Sequence, residues 1–160
     1  MKQQRLFNAY IRNDSDVVVR NYIDISIAVA SPRGLVVPVL RDTDQMKFSD
    51  IEKSIANFAK LAKENKIDIA DMMGGTFTIS NGGVYGSLLG TPIVNLPQSA
   101  ILGMHSIQKR PVVINNEIKI QRMMYLALTY DHRLLDGRDA VSFLNSIKSS
   151  IEQPIKLLLN

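Results

Sequence analysis

Cysteine is absent from this 160-residue chain. That excludes disulfides, thiolate metal sites and a cysteine nucleophile together, and it fits a reducing compartment. No apolar run approaches the length of a membrane span, so no membrane partner is expected. Met1-Lys2-Gln3-Gln4-Arg5 leads into mixed sequence, and no secretory leader is expected. The net charge of +4 is spread along the chain, with no Lys/Arg block and no aromatic interleaving. Nucleic acid is therefore not an expected partner, whereas a polyanionic small molecule would suit the charge. No internal repeat, linker or low-complexity segment interrupts the chain. With 46% hydrophobic residues, positions 1–160 make one globular domain's worth of sequence.

What is present reads as alternating α and β segments. Ile23, Ile25, Ile27 and Val29 alternate with polar or small residues, the period of a half-buried strand. Ser31-Pro32-Arg33-Gly34 is a turn, and residues 35–40 resume extended structure with Pro38 placed where no ladder donor is needed. Ser49-Asp50-Ile51-Glu52 matches a capping box, with Ile51, Ile55, Phe58 and Ala62 as the buried stripe of the helix that follows. Residues 76–80 form a β-branched and aromatic strand stopped by Asn81-Gly82-Gly83. Asn115-Asn116 is the turn of a hairpin between 112–114 and 118–120. The last helix is expected to bury Ala140, Val141, Leu144, Ile147 and Ile151 before Pro154 interrupts it. Met72-Met73 and Met123-Met124 read as core filler.

The chemistry concentrates in Tyr130-Asp131-His132-Arg133-Leu134-Leu135-Asp136-Gly137. It follows the apolar run 123–129 and precedes an amphipathic pattern, so a strand delivers a histidine onto a tight connection just before a helix. Histidine ionises near neutral pH and suits a general base. A lone histidine at a strand end is commonly structural; here Asp131, Arg133 and Asp136 crowd it with charge, and Gly137 permits close backbone approach. A metal site on His132 and Asp136 lacks further ligands, since His105 is the only other histidine and lies on a different segment. Ser80 by itself is a polar residue closing a strand, and no Gly-x-Ser-x-Gly elbow surrounds any serine. Asn81-Gly82-Gly83 is commonly only a turn, although exposed backbone donors there could meet an oxyanion or a phosphate.

Residues 131–137 resemble the His-x-x-x-Asp-Gly signature of the dihydrolipoamide acyltransferases and the related chloramphenicol acetyltransferases. Residues 31–41, 77–83 and 97–105 also resemble segments of that catalytic domain, in the expected order over nearly the whole chain. Residues 83–92 and 98–105 are most similar to the succinyl-transferring branch found in the 2-oxoglutarate dehydrogenase complex. The resemblance implies an α/β, mixed-sheet fold like that of chloramphenicol acetyltransferase, with helices packed on the sheet. It implies succinyl transfer from the thioester of dihydrolipoamide to the thiol of coenzyme A, with no metal. His132 is then the general base, Ser80 the hydroxyl donor to the oxyanion, and Asp136 the residue that orients the loop and the histidine. Asp131 and Arg133 are expected to form ion-pair structure. Coenzyme A enters as substrate, and the lipoyl group rides on a domain not included in this sequence. The resemblance further implies a homotrimer, His132 of one copy meeting Ser80 of the next, built into a larger core beside 2-oxoglutarate dehydrogenase and dihydrolipoamide dehydrogenase subunits. It also implies that lipoyl and subunit-binding domains and the start of the catalytic domain lie outside these 160 residues. Residues 5–10 lack the proline usual in that family. The alternatives are a non-catalytic core scaffold, which has no need of an intact His132 and Asp136, and an acetyltransferase acting on a small hydroxyl acceptor.

Overall fold

In a computed structural model, residues 1–155 are described. In chain order the elements are β1 (Ala9–Arg12), β2 (Asp16–Val19), β3 (Ile25–Ile27), β4 (Val29–Ser31), β5 (Gly34–Val36), β6 (Val39–Leu40), α1 (Phe48–Lys63), β7 (Phe77–Asn81), β8 (Ala100–Met104), β9 (Gln108–Ile114), β10 (Glu117–Met123), β11 (Leu126–Tyr130) and α2 (Gly137–Glu152). A five-stranded mixed sheet runs β11-β8-β7-β3-β6. The β3–β7 and β7–β8 pairs are parallel, while β11–β8 and β3–β6 are antiparallel. The expected α/β mixed sheet is thus what forms.

One face of this sheet is apolar. Phe77, Ala100 and Leu102 join Phe7, Leu135 and Phe143 in the buried core, with Ile25, Ile79, Leu126, Leu128 and Tyr130 packed around them. Phe143 of α2 stacks on Phe7 at 4.2 Å between ring centroids and meets Phe77 edge-on at 5.7 Å. Alternation places Ser26, Thr78, Ser80, Ile101 and Gly103 on the opposite face. There Ser26, only 2% exposed, accepts from Gln98 Nε2 at 3.4 Å. Gln98 Nε2 also donates to the Gly75 carbonyl at 3.1 Å, and Gln98 Oε1 accepts from the Thr78 hydroxyl. The isoleucines of β3 are therefore half-buried while the serine between them is buried, because both sides of this sheet are covered.

Several expectations are corrected. The 23–29 run breaks at Ala28: β4 leaves the main sheet and pairs with β5 across the Ser31–Gly34 turn, where Gly34 adopts φ 121°. The expected 35–40 run is split into β5 and β6; Pro38 lies between them, where no ladder donor is needed, and its carbonyl accepts from Ile27 N–H. The N-cap of helix α1 is Lys47, two residues before the expected capping serine; it is extended and offers no side-chain cap, and the Ser49–Glu52 box does not form. Its stripe is as expected, with Ala62 buried and Ile51, Ile55 and Phe58 half-buried. On α2 the inward stripe is Ala140, Phe143, Leu144 and Ile147, spaced i, i+3, i+4, i+7. Val141 falls off that stripe and is 59% exposed, whereas Ile151 keeps its spacing but lies in the last turn of the helix and is 62% exposed. Met73 and Met123 are exposed and not core filler. The Asn115-Asn116 turn is borne out, both residues at positive φ as a two-residue hairpin demands, and β9 and β10 extend well beyond the expected segments.

Candidate active site

The β11 ladder continues one residue past the strand, where Asp131 N–H donates to the Ser99 carbonyl at 2.8 Å. The chain then folds back tightly, since Leu134 N–H and Leu135 N–H both donate to the Asp131 carbonyl at 3.0 Å. Leu135 plugs the core and anchors this turn. Asp131 receives Arg133 Nε at 3.0 Å and Nη2 at 2.7 Å, a forked pair that holds its carboxyl below the usual carboxylate range. Asp131 and Arg133 are thus ion-pair structure, as expected. His132 stands between them, exposed, with its ring 5.5 Å from that of Tyr130. Among the described residues, no hydrogen bond engages its imidazole nitrogens.

Asp136 is the N-cap of α2. Its Oδ1 accepts from Asp139 N–H at 2.8 Å, and Asp139 Oδ2 accepts from Asp136 N–H at 3.2 Å. The Asp139 amide bond holds the Asp136 carboxyl below its ordinary range. Asp136 therefore fixes the junction between the His132 turn and the helix, and does not touch the ring. Gly137 has nothing within 4 Å of a Cβ built on it, so the close backbone approach expected there is absent within this chain.

Ser80 lies on β7 in register with Gly103 of β8. Its hydroxyl is half-buried and has no partner among the described residues. The backbone donors expected to be free at the following turn are used: Gly82 N–H bonds the Met104 carbonyl and Gly83 N–H bonds Asn81 Oδ1, both at 2.9 Å. A Cβ on Gly103 would meet the Pro92 ring at 3.1 Å and His105 Cε1 at 3.4 Å. Pro92 and His105 therefore lie on the Ser80 side of the sheet. His105 escaped the sequence reading as a site residue because its partners are main-chain groups far along the chain.

One chain does not bring Ser80 and His132 together. Ser80 is level with Gly103, whereas the Asp131–Ser99 bond puts His132 about level with Gln98. About five residues along the strands and two strand spacings across separate them, roughly 19 Å. Among the described residues, no group of three or more His, Cys, Asp or Glu is placed to hold a metal.

The sequence profile of the 2-oxoacid dehydrogenases acyltransferase catalytic domain matches residues 1–159. The chain is 62% identical over 146 residues to the dihydrolipoyllysine-residue succinyltransferase component of the 2-oxoglutarate dehydrogenase complex of Pseudomonas aeruginosa, covering 91% of this chain and 36% of that protein. It is 58% identical over 161 residues to the mitochondrial counterpart of Bos taurus, covering all of this chain and 35% of that one. The chain thus spans about a third of the length of these relatives. Among solved structures, the Azotobacter vinelandii dihydrolipoamide acetyltransferase superposes with a TM-score of 0.93 at 33% identity, over 98% of this chain and 65% of that one. A chloramphenicol acetyltransferase shares the fold alone, at TM-score 0.55 and 17% identity. By its matched profile and its fold, this chain belongs to the 2-oxoacid dehydrogenase acyltransferase family, within whose catalytic domain it lies.

Proposed function

We propose that this chain carries the chemistry of succinyl transfer from the thioester of dihydrolipoamide to the thiol of coenzyme A, within a 2-oxoglutarate dehydrogenase complex. One observation carries the residue assignment. In the Azotobacter vinelandii enzyme, a serine, a histidine and an asparagine were investigated for catalytic roles; serine and histidine lie 52 residues apart and the asparagine four further on. Ser80, His132 and Asp136 have that same spacing here. Asparagine and aspartate are both good N-caps, so the substitution at the last position fits a residue that caps α2 and orients the loop, not one that moves a proton.

The steps follow from ordinary acid–base chemistry. His132, unencumbered and exposed at the end of β11, takes the proton from the coenzyme A thiol as sulfur attacks the thioester carbonyl carbon. Free imidazole and free thiol differ by about two pKa units, so full transfer is uphill by only about 2.7 kcal/mol and bond formation can draw it forward. The tetrahedral intermediate holds negative charge on the former carbonyl oxygen, and the Ser80 hydroxyl donates to it. Collapse breaks the bond to the dihydrolipoamide sulfur, which recovers the proton from the imidazolium. Both thiols belong to substrates, so a chain without cysteine lacks nothing the reaction needs.

The separation of Ser80 from His132 supports a site shared between copies, the serine from one and the histidine from the next in a homotrimer. Trimers of this kind form the core to which 2-oxoglutarate dehydrogenase and dihydrolipoamide dehydrogenase subunits attach. The test is succinyl transfer between succinyl-coenzyme A and free dihydrolipoamide, by this chain and by its His132→Ala variant. Transfer lost with the histidine is the expected result. Equal rates would remove His132 as the base, and no transfer by either protein would favour a scaffold.

A further inference from the structure

His105 is 5% exposed, and both of its ring nitrogens are engaged. Nε2 receives Gly90 N–H at 2.8 Å, and Nδ1 lies 3.0 Å from the Tyr125 carbonyl oxygen. An amide N–H can only donate and a carbonyl can only accept. Nε2 must therefore carry the lone pair and Nδ1 the hydrogen, which makes the ring the neutral Nδ1–H tautomer. From residue 84 to residue 107 the sequence holds no Asp, Glu, Lys or Arg, so the stretch around this ring supplies no counter-ion. The titratable group that the neighbouring segment presents is Tyr125, whose hydroxyl accepts from Arg110 Nη1 at 2.7 Å.

The segment that His105 holds is otherwise weakly attached. Ser87 is tied at one end, its carbonyl accepting from Ser106 N–H at 2.8 Å, and Gln98 is buried at the other. Between them, among the described residues, Gly90 N–H to His105 is the only hydrogen bond reaching the body of the domain; the Asn95 carbonyl bonds locally to Gln98 N–H. Leu89, Ile93 and Leu96 are exposed and do not anchor it. Yet this segment carries Pro92, which lies over Gly103 beside Ser80.

We propose that His105 is a positioning residue: as a neutral Nδ1–H imidazole it spans the Tyr125 carbonyl and the Gly90 amide, and so fixes residues 88–96 as a wall beside the Ser80 hydroxyl. The effect on transfer rests on the function proposed above; the bond to Gly90 does not. Two variants separate the arms. In His105→Gln, Oε1 reaches the Nε2 position and keeps an acceptor for Gly90. In His105→Asn, Nδ2 takes the Nδ1 position and keeps the donor to Tyr125, leaving Gly90 N–H without an acceptor. Hydrogen exchange of residues 86–96 and the transfer rate are measured in both, alongside thermal midpoints. Exchange at Gly90 on the order of tenfold faster in Asn than in Gln is expected, since one hydrogen bond is lost. Transfer should fall in Asn and persist in Gln. Equal exchange in the two variants overturns the pin, whatever the enzyme activity. Unequal exchange with equal, undiminished transfer overturns the positioning role. Should both variants unfold, ¹⁵N shifts of His105 in the unaltered protein decide, and an Nε2–H tautomer refutes the arrangement.

Discussion

Two inactive variants should restore one another. Ser80→Ala removes the proposed oxyanion donor, and loss of such a donor costs a factor of about 10²–10³. His132→Ala removes the proposed base. Within one chain these residues stand roughly 19 Å apart, so the proposed site needs the serine of one copy and the histidine of another. When the variants are co-refolded in equal amounts, a site works only if its serine comes from the His132→Ala chain and its histidine from the Ser80→Ala chain. Each condition holds for half of the positions in a randomly filled symmetric ring, so about a quarter of the unaltered activity should return. That is some 25-fold or more above either parent. The assay is succinyl transfer after joint refolding, compared with the same proteins refolded separately and mixed briefly. Activity after joint refolding no higher than that of the better parent would refute the shared site, because a site within one chain gains nothing from mixing.

Asp136→Asn should keep transfer near the unaltered rate and Asp136→Ala should lower it, because an amide oxygen can still accept the Asp139 N–H whereas a methyl cannot. The folded-state pKa of Asp136 lies below its unfolded value, so its contribution to stability is complete above about pH 4 and is lost as pH falls through the folded value; chemical denaturation across pH 2–5 should show the advantage of the unaltered chain over Asp136→Asn vanishing in acid. Phe143→Ala removes a ring stacked on Phe7 and abutting Phe77, and should cost about 3–5 kcal/mol. At about 2–4 °C per kcal/mol for a chain of this size, that lowers the thermal midpoint by roughly 10 °C, and a fall under about 3 °C would contradict the packing described.

The sequence was most legible where one residue type answers one local geometry. Asn115-Asn116 marked its hairpin because both positions need positive φ, which asparagine tolerates. The histidine turn was legible because an apolar strand, a charged connection and an amphipathic helix follow one another there. Alternation located β3 but not its depth: period two separates two faces without saying which is better covered, and Ser26 proved the more buried. Phe143 was overlooked among aliphatic neighbours although its spacing from Ala140 and Ile147 fits the stripe. Ser49 failed as a cap because the helix is entered two residues earlier, at Lys47, although serine is the better N-cap of the two by local preference. His105 was opaque for another reason. Its partners are backbone groups 15 and 20 residues away, which carry no sequence signature.

The distance between Ser80 and His132 follows from strand direction and is not a loop position awaiting closure. β7 and β8 are parallel, and Ser80 lies near the carboxyl-terminal end of β7. β11 runs against β8, so its own carboxyl-terminal end, and with it His132, emerges at the opposite end of the strands from Ser80. The turn cannot swing across, because Asp131 is bonded to Ser99 on one side of the histidine and Asp136 caps α2 on the other, with Leu135 buried between. Ser80 is held as firmly, since Thr78 two residues before it is locked to the buried Gln98. On the proposed mechanism, two chemically complementary groups fixed at opposite ends of the strands of one sheet become neighbours only when a second copy brings its own strand ends alongside. Rotational symmetry then makes every such junction equivalent, so an assembly can have as many complete sites as it has chains.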